Sequence, residues 1–230
     1  MSTAVSDVSI GVIMLDTAFP RPVGDIGNPA SFDFPVIFER VPGASVERAV
    51  RQSARGLLEP FIAAGRRLTE RGAVALVTSC GFLVLHQQAL SDALQVPVAS
   101  SSLLQLPWVE QLLGVTRRCG VITYDQTALG PAHLAAAGAR ADTPIAGMPA
   151  DGELRRVIDN NEHQLDEGAV ETELLMVAQG LIDRVPTIGA FVLECTNLPP
   201  YAATLREKFG LPVYDSLTMI NWLWRACRKE

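Results

Sequence analysis

Val74-Ala75-Leu76-Val77-Thr78-Ser79-Cys80-Gly81-Phe82 is an apolar run of strand length that ends in a small polar residue and a cysteine. The chain carries this build twice, the second time as Ile188-Gly189-Ala190-Phe191-Val192-Leu193-Glu194-Cys195-Thr196-Asn197. Each cysteine is followed by an amphipathic segment and a short proline-bearing strand, Val96-Pro97-Val98 and Leu211-Pro212-Val213. Cysteine and proline are 17 residues apart in both copies. Two cysteines therefore hold corresponding places in two similar units.

Upstream of the first copy, Ser9 to Leu15 is a continuous apolar run, the signature of a strand buried on both faces of a parallel sheet, and it ends at Asp16-Thr17. Ala18 to Phe34 is rich in Pro, Gly and Asn and reads as a long ordered loop, a kind of segment that usually carries function. Pro35 to Val41 is a second strand. Ser45 is a good N-cap for a helix from Val46 to about Arg71, which Pro60 should kink or divide. After Cys80 come a helix to Leu94, the strand at Pro97, a turn at Ser100-Ser101-Ser102 and a helix from Leu103 to about Leu113.

The second unit opens at Cys119, where Gly120 to Asp125 align with Gly11 to Asp16 at an offset of 109. Pro35-Val36-Ile37 and Pro144-Ile145 keep that offset, which grows to 115 at the cysteines, so about six extra residues fall between Asp151 and Arg184. Four ordered matches with one insertion argue for duplication. Apolar strands alternating with helices predict a parallel sheet covered on both faces. The expectation is an α/β protein of two pseudo-twofold-related flavodoxin-like lobes, each a four-stranded parallel sheet covered by helices. Residues 1–102 with 215–230 would form the first lobe and 103–214 the second. In such sheets ligands sit beyond the carboxyl ends of the strands, where Cys80, Cys195, Asp16 and Asp125 stand.

Composition narrows the partners. A net charge of −6 with scattered arginine pairs gives no basic footprint, so nucleic acid is not expected. The N-terminal Met1 to Asp7 has no basic and apolar export signal, and no apolar run approaches a membrane span, so the reading is a cytoplasmic protein with no membrane partner. The cysteines (Cys80, Cys119, Cys195, Cys227) fit free thiols in a reducing compartment. His86, His133 and His163 show no metal-ligand spacing, so no metal is expected.

Two cysteines facing one cleft from opposite lobes suit stereoinversion at a carbon acid, where one group takes a proton from one face and another delivers one to the other. A strand end just before a helix favours the thiolate, and the residues around the cysteines offer backbone N–H groups to an enediolate. Cys119 and Cys227 do not recur in the repeat and read as core. Asp16 and Thr17 are candidates for the site because the long loop follows them. Asp125 reads rather as a cap or Asx-turn. His86 reads as a helix residue, the stripe from Leu174 to Ile182 with Met176 as core, Trp222 and Trp224 as packing residues, and Glu167, Glu171 and Glu173 as a solvated helix start.

The two-unit repeat, Ser79-Cys80-Gly81-Phe82, Glu194-Cys195-Thr196-Asn197 and the opening Gly11 to Asp16 resemble the cofactor-independent aspartate/glutamate/hydantoin racemase superfamily, which also holds arylmalonate decarboxylase and maleate isomerase. The resemblance covers essentially the whole chain. It implies a site between the lobes that works without pyridoxal phosphate or metal, proton-transfer cysteines at Cys80 and Cys195, and often a homodimer. It implies carboxylate-binding roles for Ser79, Gly81, Phe82, Thr196 and Asn197, and places Tyr124 over the substrate carboxylate. Amino-acid racemases of the family usually have Asn-Thr after the first cysteine, where this chain has Gly81-Phe82. Decarboxylase members lack the first cysteine. The resemblance thus implies a racemase or epimerase acting alpha to a small carboxylate, with a decarboxylase or cis–trans isomerase as alternatives; a non-catalytic small-acid binder is the alternative of another class.

Overall fold

A computed structural model describes residues 8–228; the Met1 to Asp7 segment read above for an export signal lies outside them. The first sheet contains β1 (Ser9–Met14), β2 (Val36–Arg40), β3 (Ala73–Thr78) and β4 (Val98–Ala99), all parallel, in the order β2-β1-β3-β4. The second contains β5 (Arg118–Thr123), β6 (Ile145–Gly147), β7 (Ile188–Leu193) and β8 (Val213–Tyr214), parallel again, in the order β6-β5-β7-β8. The copies agree in detail: the β1–β3 register shifts between Ser9 and Ile10, and the β5–β7 register between Arg118 and Cys119. Both central strands also need glycine. A Cβ at Gly11 would stand 2.6 Å from Leu76 of the neighbouring strand and 3.1 Å from Leu68 of the helix packed on it, and one at Gly120 2.8 Å from Leu181 of its own packed helix.

In the first lobe that helix is α1 (Leu58–Glu70), whose Phe61, Ile62, Ala64, Gly65 and Leu68 form one apolar stripe against the sheet. The predicted helix from Val46 to Arg71 is broken. A π-helical turn, Glu47–Arg51, comes first and Ser45 Oγ accepts from the Arg48 N–H at 3.3 Å; Ser53 and Ala54 then turn the chain through left-handed backbone. Pro60 lacks an N–H and sits in the first turn of α1, where none is needed, so it divides the segment. Past Cys80 the expected helix starts as a 3-10 stretch, Gly81–His86, and becomes α2 (Gln87–Ala93).

The units exchange their last helices. α3 (Leu106–Leu113), following β4, packs on β5 and β7, whereas α8 (Ser216–Cys227), following β8, packs on β1 and β3 through Met219, Ile220 and Leu223. Between them lie α4 (Pro131–Ala136), α5 (Glu153–Asp159), α6 (Glu167–Arg184) and α7 (Ala202–Phe209), and the extra residues of the second unit fall chiefly in α6, which is 18 residues long against 13 in α1. Two packing expectations need correction. Trp222 is 65% exposed and Met176 59% exposed, since Leu174, Ala178 and Leu181 are the positions of α6 that face inward. Trp224 does pack, stacked on Phe34 at 4.5 Å. Glu173 is no free surface charge either, because it accepts the Glu153 N–H and so caps α5.

Candidate active site

The carboxyl ends of β3 and β7 deliver Cys80 and Cys195 to one cleft of about 30 Å³, lined also by Ser79, Gly81, Phe82, Glu194, Thr196 and Asn197. Leu15, Phe19, Val46, Val50, Tyr124 and Ile158 complete its apolar wall. Cys80, in extended backbone, caps the 3-10 stretch that follows it. Burial, then the Glu194 charge, pushes its thiol up to about 12, against the opposing pull of the Phe82 and Leu83 N–H groups. Cys195 is pushed well above the ordinary thiol range, first by burial and then by Glu194. Its S–H donates to Asn197 Oδ1 at 3.6 Å. In both thiols burial favours the protonated form.

The lobes are tied beneath the cysteines by two related contacts. Thr196 Oγ1 donates to the Ser79 carbonyl at 2.8 Å, and Gly81 packs against the Glu194 carbonyl in the mirror-related place. Thr196 therefore spends its hydroxyl on the fold. Asn197 likewise donates its Nδ2 to Asp25 Oδ2 at 2.6 Å, and Ser79 Oγ accepts the Leu15 N–H at 2.9 Å. The N–H groups of Gly81 and Thr196 carry no hydrogen bond among the described residues.

Tyr124 lines the cleft, but its hydroxyl donates to Asp159 and its ring lies under the Arg155 guanidinium at 4.5 Å. Phe82 is held edge-on by His133, which belongs to α4 of the other lobe, at 5.3 Å. Asp16 and Thr17 stand away from the cleft wall. Asp16 is exposed, accepting the Gly43 N–H at 2.9 Å and facing Arg40, while Thr17 Oγ1 accepts from Arg21 at 3.0 Å. Asp125 is an Asx-turn residue, accepting from Thr127 and paired with Arg155. His86 meets the Ala54 carbonyl at 2.9 Å, away from the cleft. Cys119 is fully buried and Cys227 half-buried.

Sequence reading missed the residues that hold the cover of the site. Within the 18–34 loop Arg21 and Asp25 form a buried ion pair at 2.8 Å, four residues apart, and Asp25 reaches across to Asn197. Glu194 was seen only as part of its motif; it is 1% exposed, with Oε2 accepting from Thr123 Oγ1 at 2.7 Å and Oε1 unpartnered. Burial raises its carboxyl to about 7. Among the described residues no group of three or more His, Cys, Asp or Glu side chains is placed to hold a metal, and no helix is long and apolar enough to cross a membrane.

No protein-family profile matches the chain. A dimethylsulfoniopropionate lyase of Durusdinium sp. clade D is 30% identical over 234 residues, covering 96% of this chain and 76% of that protein. A dimethylsulfoniopropionate lyase of Emiliania huxleyi is 30% identical over 226 residues; it matches 93% of this chain, which spans only 58% of that relative. Among solved structures, a point mutant of arylmalonate decarboxylase in a sulfate-associated form superposes with a TM-score of 0.66 at 17% identity, covering 95% of this chain and 92% of that one. A glutamate racemase of Bacillus anthracis superposes with a TM-score of 0.57 at 15% identity, covering 96% and 83%. These structures share the two-lobe fold.

Proposed function

The chain belongs to the dimethylsulfoniopropionate lyase family, on the fold of the Asp/Glu racemase superfamily, and from that premise we propose that it is a carbon-acid lyase whose base is Cys80. The observation that carries this reading is the pair of buried cysteines that end equivalent strands and line one cleft. In the ionised form Cys80 removes a proton from the carbon next to a substrate carboxylate. The electron pair forms a carbon–carbon double bond and expels a neutral leaving group from the β-carbon. With dimethylsulfoniopropionate the products are acrylate and dimethyl sulfide, and the proton ends on Cys80.

Three features support that substrate class. The free N–H groups of Gly81 and Thr196 stand at equivalent points of the cleft and suit a carboxylate whose charge spreads into an enediolate. Among the described residues no lysine or arginine lines the wall, so the seat for that carboxylate is made of neutral donors. Phe82 gives the wall an aromatic ring suited to a sulfonium cation, while the rings of Phe19 and Tyr124 each already carry a guanidinium, Arg21 at 4.7 Å and Arg155 at 4.5 Å. Phe82 stands where amino-acid racemases have a polar residue, which favours a methylated onium group over a free ammonium.

A second reading is stereoinversion, with Cys195 as the opposing acid; the presence of a thiol on each lobe favours it. Both readings begin with the same proton abstraction and part at the fate of the carbanion. The relatives are enzymes, which supports catalysis over simple binding. Proton NMR of the protein with dimethylsulfoniopropionate in deuterium oxide, and separately with chiral small acids, tests the choice. Vinyl signals of acrylate are the expected result. Loss of α-proton signal from a chiral acid, with dimethylsulfoniopropionate untouched, would put the racemase reading in its place.

A further inference from the structure

Glu194 poses a problem that the proposed reaction does not explain. Its carboxylate is buried between the lobes, with one oxygen satisfied by Thr123 and the other, Oε1, packed against Gly81 without a hydrogen-bond partner. An ionised carboxylate in such a place is costly unless a cation sits beside it. None does. Arg21 is engaged by Asp25, Arg155 by Asp125, and Arg51 by Asp159.

The groups that face Glu194 are few. Cys80 lies after β3, Cys195 after β7, and Tyr124 after β5 turns its hydroxyl away to Asp159; from the 18–34 loop Arg21 and Asp25 act on the thiols. The two thiols are thus the proton donors the carboxylate shares its cleft with, and they are not equal. The S–H of Cys195 donates to Asn197 Oδ1, and the amide is oriented for this because its Nδ2 is given to Asp25. Both sulfurs face backbone N–H groups that favour the anion, Phe82 and Leu83 at Cys80 and Asn197 at Cys195, although the Leu83 N–H is shared with the Cys80 carbonyl at 3.1 Å; Cys80 differs in having no side-chain acceptor for its own proton other than Glu194.

We propose that Glu194 is the acceptor for the Cys80 proton: Oε1 takes it, leaving a thiolate at Cys80 and a carboxylic acid at Glu194, while Cys195 keeps its own proton. One S–H bond breaks and one O–H bond forms. The net charge of the cleft does not change, so the base is made without adding a charge to a buried site. Glu194 acts through Cys80, not on the substrate. The proposal rests on the reading of Cys80 as the base, and it accounts for a carboxylate placed where it otherwise only opposes thiol ionisation.

The test needs no substrate, so its outcome is separate from that of the lyase assignment. The full chain is alkylated with iodoacetamide from pH 5 to 10, and the rate at each cysteine is read by peptide mass spectrometry. Only thiolate reacts. In the wild-type protein the Cys80 rate should climb about tenfold per pH unit up to about pH 7 and then level off, because above that pH one proton is shared between Cys80 and Glu194. In Glu194→Gln it should match the wild type below pH 7, keep climbing, and be about a hundredfold faster at pH 9. Cys195 should react more slowly than Cys80 throughout. A wild-type Cys80 rate that climbs through pH 7 to 9 without levelling, or Cys195 reacting first, would overturn the proposal. The wild-type profile decides alone should Glu194→Gln fail to fold.

Discussion

Glu194 of the second lobe occupies the space beside Gly81 of the first: a Cβ at position 81 would stand 2.6 Å from the Glu194 carbonyl oxygen and closer still to the carboxylate. Gly81 is thus part of the join between the lobes. Gly81→Ala should destabilise the protein by about 1–3 kcal/mol through overpacking, seen as a lower urea midpoint at unchanged slope. A variant as stable as the wild type would mean that the lobes can part there without cost.

The mirror-related contact is polar. Thr196→Val removes the hydroxyl that donates to the buried Ser79 carbonyl and leaves that oxygen unsatisfied, at a cost of about 1–3 kcal/mol. Urea unfolding measures it. A change well below 1 kcal/mol would show that another donor replaces the hydroxyl.

Within the long loop, Asp25→Asn keeps the shape but leaves Arg21 unpaired in a largely buried place. Breaking such a pair costs on the order of 3 kcal/mol. Limited proteolysis should find new cleavage between residues 18 and 34, as Asp25 also anchors the loop to Asn197. Protection equal to the wild type would show that the remaining loop bonds suffice.

Stability should depend on pH through Glu194. Its folded-state carboxyl is raised from 4.5 to about 7, so between those values the native state holds a proton that the unfolded chain has lost. Native stability therefore falls as pH rises through that window, and the full penalty, on the order of 3 kcal/mol, is present above it. Glu194→Gln should melt higher than the wild type at pH 8 and no higher at pH 4. The reverse order would contradict the burial argument.

The duplicated architecture was legible because both copies obey the same constraints: a glycine under each packed helix, a strand-end cysteine and a proline at fixed distance. The cysteines were legible for the same reason. A division of the segment before α1 was legible from Pro60, but its place was not, since Ser53 and Ala54 adopt left-handed backbone that no residue type there signals. Arg21 and Asp25 had the spacing of a helical ion pair but lay in a Pro/Gly segment where that spacing carries no meaning. Glu194 could not be ranked from sequence, because its importance comes from Gly81, more than 100 residues away. Asp16 looked favourable as a strand-end acid before a long loop, yet its carboxylate turns outward to Gly43 and Arg40.

The most direct measurement compares acrylate formation from dimethylsulfoniopropionate by the wild-type, Cys80→Ala and Cys195→Ala proteins, followed by proton NMR. Elimination needs one base, so Cys80→Ala should lose at least about 10²-fold in rate, whereas Cys195→Ala should keep most of its activity. Acrylate formed by Cys80→Ala at the wild-type rate, or none formed by the wild type, would contradict the assignment of Cys80 as the base of a lyase.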